Sequence, residues 1–317
     1  MTALSRRRSH ILTTMSRWFD SWAGAEGIAK DEPQRVDWVR CLPFLGLHVA
    51  CLAVIWVGWS PFALWFALAL YVVRMFAITG FYHRYFSHKT FKTTRAFQFV
   101  IALWGNSAVQ RGPLWWAAHH RLHHKRSDHE DDVHSPHHHS FWWSHIGWIL
   151  THIEQDRREI ERKHAPELVA DPVHRFLNRA HIFPNIIVGL ALYAWGGWSL
   201  VVWGVFLRLV INLHATWFVN SAAHTWGYRT FDTPEGSTNL WWVGLVAWGE
   251  GWHNNHHAFQ RSARHGHAWW EIDMTWMAIR TLMALGLATD VQGLPKSADQ
   301  FRLDRKQPVV LVEEPAA

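Results

Sequence analysis

The sequence predicts an all-α, polytopic membrane protein: four transmembrane helices in two hairpins, with a cytoplasmic helical cap. Three observations predict it. Two long stretches carry no charge, tryptophan is abundant, and lysine and arginine gather at the feet of the hairpins while both hairpin turns are uncharged. From Cys41 to Val73 there is no Asp, Glu, Lys or Arg, and the apolar run continues past Arg74 to Phe81. A bilayer core takes about 20 residues per helix, so this stretch has the length of a hairpin. "GWSPF", Gly58 to Phe62, is its natural turn, because Gly and Pro break helices and Trp favours the membrane interface. A second uncharged stretch runs from Ala180 to Leu207 and, past Arg208, on to Tyr228, with "WGGWS", Trp195 to Ser199, as its turn.

The flanks orient these spans. Arg6, Arg7, Arg8, Arg17, Lys30, Arg35 and Arg40 precede the first hairpin, and Arg84, Lys89, Lys92 and Arg95 follow it. Positive charge stays on the cytoplasmic side, so both termini and the histidine-rich loops are expected there. Behind its arginines the N-terminus has no uninterrupted apolar segment, so insertion is expected to rest on the internal spans. The expected organisation is a basic tail over 1–35, a membrane domain over 36–293 and a polar tail over 294–317. Three shorter apolar-periodic pieces, around Phe97 to Val109, Phe141 to Ile153 and Thr275 to Leu287, read as helices of a cap or of the membrane interface. Arg208 falls inside the fourth span and is expected to face the protein interior, since a charge facing lipid is costly.

Composition narrows the function. Of 317 residues 49% are apolar and 18% charged, and the 24 tryptophans suit an interfacial belt. The net charge of +6 does not indicate nucleic acid, because the basic residues are not interleaved with aromatics in a patch; anionic lipid or a phosphorylated substrate carrier fits better. Cys41 and Cys51 are the two cysteines, too few for a disulfide framework or a thiolate metal site. Any metal must therefore be held by the 25 histidines.

Those histidines are patterned. His-x-x-His-His occurs twice, as His120 to His124 and as His253 to His257, and helical spacing puts i, i+3 and i+4 on one face. In the first copy His119 and His123 are spaced as well as His120 and His124. In the second, Trp252 takes the place of His119 and cannot ligate, which leaves His120, His123 and His124 as the triplet. "HRYFSH" places His83 and His88 five apart, not one helical face, so the two must converge through a helix end or a distortion near Gly80. "NSAAH" places Asn220 and His224 four apart at the end of the fourth span. These elements supply nine candidate ligands, too many for one metal and enough for two with four or five imidazoles each. An imidazole set without thiolate suits iron, zinc or copper and leaves the three open.

"HRYFSH", "HRLHH", "NSAAH" and "GEGWHNNHH" together resemble the histidine boxes of the integral-membrane acyl-CoA (stearoyl-type, delta-9) fatty acid desaturases. "SHIGW", "TWFVNSAAH" and "LGLATD" match in order as well, and the similarity covers roughly Leu42 to Gly293. The resemblance implies four transmembrane helices under a cytoplasmic cap with a di-iron centre. It assigns His83, His88, His120, His123, His124, His224, His253, His256 and His257 as ligands, with Asn220 holding a metal-bound water. It places a tunnel bend at Gln110, Trp116, Thr216 and Trp217, and matches Arg208 to a family arginine in the fourth span. His134 and His145 also match family positions, whereas the other histidines between His129 and Ser140 read as a histidine-rich loop.

The reaction implied is removal of two hydrogens from adjacent methylenes of a saturated acyl chain, giving a cis double bond while O2 is reduced to water. Glu250 and Asp132 are candidates to hydrogen-bond the outer nitrogens of ligand imidazoles. Two electrons must come from a separate partner, ferredoxin- or rubredoxin-like or a cytochrome b5. The chain has no HPGG haem motif, no CxxC set and no GxGxxG after a strand. Lys125, Arg126, Arg261 and Arg264 are candidate cations for that partner or for substrate phosphates. Acyl-CoA is the first-ranked carrier, with one departure: Ala118 and His119 stand where the animal acyl-CoA enzymes have an Arg-Asp pair near the headgroup. An acyl-lipid desaturase, a related membrane di-iron hydroxylase or ketolase, and a non-enzymatic metal-handling membrane protein are the other readings.

Overall fold

The computed structural model describes residues 36–151 and 158–303, with 15–16, 18–20 and Trp22. The expected basic tail and the last part of the polar tail, 304–317, lie largely outside the described residues. What is described is helical, with isolated bridges such as Lys92 to Thr289 in place of strands.

Helix α1 (Trp38–Ala50) runs on through a 3-10 turn, Cys51–Ala53, and Val54–Val57. It stops at Gly58, whose φ of 65° glycine adopts without steric cost. The reversal follows from local chemistry. Ser60 accepts the Ala63 N–H as an N-cap and Pro61 occupies the first helical position of α2 (Pro61–Phe76). Helix α2 passes directly into a π-helical stretch, Ala77–Ser87. Next come α3 (Arg95–Asn106), α4 (Pro113–Arg126) and α5 (Phe141–His145). Short helices between 158 and 179 lead to α6 (Phe183–Val201), a π-helical segment Val202–Leu207 and α7 (Arg208–Ser221). The last elements used below are α8 (Trp241–Val246), α9 (His253–Ala258) and α10 (Met274–Ala284).

Among the described residues two helical stretches are long and apolar enough to cross a membrane, Pro61–Ser87 and Phe183–His224; Cys41–Val57 is apolar but shorter. The second stretch is not one rod. Gly196 and Gly197 leave helical geometry, Gly197 with a φ of 63°, at the turn expected from "WGGWS". Beyond it the chain packs back on its neighbours. A Cβ on Gly204 would lie 3.0 Å from Leu192 and 3.2 Å from Leu70, and Trp203 Nε1 donates to the Gly58 carbonyl at 2.9 Å. Trp56, Trp59, Trp195 and Trp198 are exposed around the two turns. Arg208 is buried, its Nε donating to the Gly204 carbonyl at 3.0 Å and its Nη2 to Asn185 Oδ1 at 3.2 Å, which places it inward as expected.

The three shorter pieces differ in detail from their expected bounds. The first ends at Asn106, before Val109, whose φ is 58°. The second is broken: α5 stops at His145, and Gly147–Ile149 forms a single 3-10 turn. Its following carbonyl, Leu150 O, accepts the Asp37 N–H at 2.8 Å and so anchors the start of α1. The third is α10, begun by Asp273, which accepts the Trp276 N–H at 2.8 Å. The largest core cluster includes Phe81 and Tyr82 of the π-helical stretch, Ile101 of α3 and Leu114 and Ala117 of α4. It holds the two histidine-bearing segments against each other.

Candidate metal centre

The π-helical stretch solves the spacing problem of "HRYFSH". In an α-helix residues five apart diverge by about 140°, whereas i to i+5 bonding wraps the chain so that they come back together. The His88 N–H duly reaches the His83 carbonyl at 3.2 Å, and the two rings lie 4.8 Å apart. On α4 and α9 ordinary helical spacing presents His120, His123 and His124, and His253, His256 and His257.

These elements bring all nine candidate histidines into two clusters: His83, His88, His120, His124 and His256 in one, and His123, His224, His253 and His257 in the other. In the first, Nε2 atoms approach at 3.0 Å for His83 and His256, 2.9 Å for His256 and His124, 2.9 Å for His124 and His120, and 2.8 Å for His120 and His88. In the second, His253 Nε2 lies 3.0 Å from His224 Nε2 and 3.1 Å from His257 Nε2. The clusters adjoin because His123 and His124 are neighbours on α4, and His256 and His257 on α9.

Four of the outer nitrogens face carboxylates. His83 Nδ1 is 2.6 Å from Glu250, His123 Nδ1 3.2 Å from Asp132, His224 Nδ1 2.9 Å from Asp128 and His257 Nδ1 3.5 Å from Glu235. Glu250 and Asp132 were anticipated. Asp128 and Glu235 were not, and neither stands at a helical interval from the histidine it meets. Arg84, expected as a flanking surface charge, is instead fully buried and bonds both Glu250 and Asp273, and His265, which the sequence did not single out, lies 3.2 Å from Glu250. Burial by itself would raise these carboxyls. Instead His224 holds Asp128, His134 and His123 hold Asp132, His257 holds Glu235, and His83 with Arg84 holds Glu250 well below the usual range. Burial, reinforced by neighbouring imidazoles, drives His120, His124, His253 and His256 far below ordinary imidazole values.

This arrangement fits metal ions. A neutral imidazole whose Nδ1 proton is given to a carboxylate turns an Nε2 lone pair inward, the form that binds metal. Five ring nitrogens in one cluster and four in the other converge within 4.8 Å of one another. Mutual hydrogen bonding cannot satisfy so many inward-facing nitrogens, and a cation at the focus of each cluster can.

Beside the clusters lies a cavity of about 250 Å3. Gln110, Trp116, Thr216, Trp217 and Asn220 all line it, together with His120 and His123. Gln110 Nε2 donates to Thr216 Oγ1 at 2.9 Å, and Trp116 stacks on His120 with ring centres 5.0 Å apart. Asn220 offers its backbone carbonyl to Ser144 Oγ at 3.0 Å. His119 belongs to neither cluster; its Nδ1 meets the Trp115 carbonyl at 2.6 Å and its ring stacks on Trp115. Three of the four candidate docking cations have different surroundings. Arg126 pairs with Asp131 beside this cavity, Arg264 bonds the Gly266 carbonyl, and Arg261 lines a separate groove with Lys89 and Arg95.

Long apolar helices beside two adjacent all-histidine clusters describe a membrane-associated protein with candidate metal sites. The chain belongs to the fatty acid desaturase family, whose model matches residues 57–292. It is 46% identical over 267 residues to the sn-1 stearoyl-lipid 9-desaturase of Anabaena variabilis, covering 84% of this chain and 97% of that protein. It is 41% identical over 278 residues to the sn-2 palmitoyl-lipid 9-desaturase of Nostoc sp. (strain 36), covering 86% and 96%. An acyl-CoA 5-desaturase of Anemone leveillei is 40% identical over 286 residues, covering 86% and 88%.

Proposed function

We propose that this chain is an integral-membrane desaturase that introduces a cis double bond at the delta-9 position of an acyl chain carried on a membrane lipid. The observation that carries the reading is the convergence of nine histidines into clusters of five and four beside a cavity walled by tryptophans. In this reading Cys41–Val57, Pro61–Ser87 and the two arms of Phe183–His224 are four transmembrane helices, and the remaining helices form a cytoplasmic cap. The glycine reversals at 58 and 197 and the exposed tryptophans around them support that arrangement.

The nine histidines would hold two iron ions, with Asn220 holding a water beside them. Bound iron supplies an oxidant drawn from O2 strong enough for an unactivated C–H bond, which no side chain can be. The overall balance is –CH2–CH2– plus O2, two electrons and two protons giving –CH=CH– and two waters. The electrons come from a separate donor docking on the cytoplasmic face. The protein's part is placement. An apolar chain offers no polar handle at its middle, so the wall of Trp116, Trp217 and the Gln110–Thr216 pair must set which carbons face the metals. Thr216 Oγ1 accepts from Gln110 and passes its own proton to the Asn212 carbonyl at 2.9 Å, so the pair holds a fixed place in the wall.

The carrier ranking is revised towards lipid. Both 9-desaturases cited above act on lipid-linked acyl chains, as their names state. The charge around the cavity supports the same choice. Arg111 and Arg126 are balanced by Asp131 and Asp132, and Arg126 is already paired with Asp131. CoA phosphates would ask for uncompensated cations. The acyl-CoA reading retains the support of the Anemone relative.

Expression in a host without its own desaturase, with a ferredoxin supplied, tests the proposal through the fatty acids found by mass spectrometry. A new cis-delta-9 product is expected, and its absence from protein holding two irons per chain would refute the reading. Labelled acyl-lipid and acyl-CoA given separately to membranes are expected to be desaturated as lipid only; conversion of the CoA ester alone would restore the other carrier.

A further inference from the structure

Three histidines outside the metal clusters form an unbroken hydrogen-bonded line through the protein. His48 of α1 sits with its Nδ1 2.8 Å from the Phe44 carbonyl and its Nε2 3.1 Å from His214 Nε2. His214 of α7 has its Nδ1 3.0 Å from His145 Nε2, and His145, at the end of α5, has its Nδ1 3.0 Å from Ser221 Oγ. One arrangement of protons satisfies the line. A carbonyl can only accept, so His48 carries its proton on Nδ1 and accepts at Nε2. His214 then donates from Nε2 and accepts at Nδ1, and His145 donates from Nε2 and turns its Nδ1 lone pair to Ser221 Oγ, whose single proton is shared between that nitrogen and the Trp217 carbonyl 3.1 Å away. The line ends on a backbone carbonyl with nothing beyond to receive a proton, so it serves as a brace and not as a relay.

The brace ties together the parts that wall the cavity. Leu213, Thr216, Trp217 and Asn220 face it from α7, and Trp148 and Ile149 face it from the 3-10 turn that follows α5. Trp217 is held from behind, its ring 5.2 Å from His214, 6.1 Å from His145 and 5.7 Å from Phe44. Apolar packing alone would let α7 slide against α1 and α5 at little cost, whereas three directional bonds among buried or half-buried rings fix one register. We propose that His48, His214 and His145 are positioning residues for specificity: they hold the cavity wall at the setting that selects which carbon pair is desaturated. This rests on the desaturase reading above.

The test compares wild type with His214→Leu, which breaks both inner links, and His48→Leu, which breaks the outer one, in the desaturase-free host. Double-bond positions and bound iron are both measured. One methylene in an apolar pocket is worth about 10- to 200-fold in discrimination, so His214→Leu is expected to lower the ratio of the main positional isomer to its neighbours at least about tenfold while iron stays at the wild-type level. His48→Leu should shift it the same way by less. Mere destabilisation would reduce the amount of product without moving the double bond. An unchanged isomer ratio in His214→Leu, or loss of iron from it, overturns the brace as a specificity device. A wild type that makes no new double bond overturns the desaturase reading instead, and the inference with it.

Discussion

At the scale of single residues, the centre separates histidines that look alike. His119 and His120 are adjacent on one helix, yet one stacks on Trp115 and the other meets His88 and His124 through Nε2. His119→Ala is expected to keep both irons and His120→Ala to lose iron and activity, with metal analysis of the purified proteins as the check; iron loss from His119→Ala would contradict the assignment. In the proposed centre the carboxylates would act through the histidines they face. Glu235→Gln weakens the hold on the His257 Nδ1 proton and is expected to reduce metal affinity about 10- to 100-fold, read by competition with a chelator. A sequence shows none of this for Glu235, which lies 22 residues before His257 and meets it only after the chain has folded back.

At the scale of elements, the π-helical stretch and its packing against α3 matter most. Gly105 on α3 lets Tyr82 lie flat against the helix; a Cβ there would fall 1.9 Å from Tyr82 Cε1. Tyr82 cannot swing away freely, because its hydroxyl bonds Asn106. Gly105→Ala is therefore expected to cost about 1–3 kcal/mol through overpacking, measured as a lowered unfolding temperature in detergent. Inserting an alanine after Tyr85 lengthens the His83 to His88 interval to six, which neither α- nor π-helical bonding returns to one face, so the two rings should no longer meet. Iron content below two per chain is the expected result, and a full complement would show that the register is not what brings these ligands together.

At the scale of the whole molecule, the proposed topology makes its own prediction. Cysteines placed at the exposed Trp59 and Trp198, in a chain with Cys41 and Cys51 replaced by Ala, should react with an impermeant thiol reagent added outside intact cells. A cysteine at exposed Lys125 should react only after the membrane is opened. Equal labelling at all three positions would refute the orientation read from the basic flanks.

The long apolar helices, both glycine turns and the histidine triplets were legible without coordinates, for a physical reason. Apolar length and the glycines of the turns are local properties, and so is the i, i+3, i+4 spacing that aims each histidine triplet. The need for a distortion between His83 and His88 could also be read, though not its form. What only the tertiary structure decided is how the triplets are shared, with His120 and His124 on one cluster and His123 on the other, and which carboxylates stand behind them. It alone also joined His48, His214 and His145. Those contacts link residues up to 173 positions apart, as between His83 and His256. They arise from how helices pack, which no local spacing encodes.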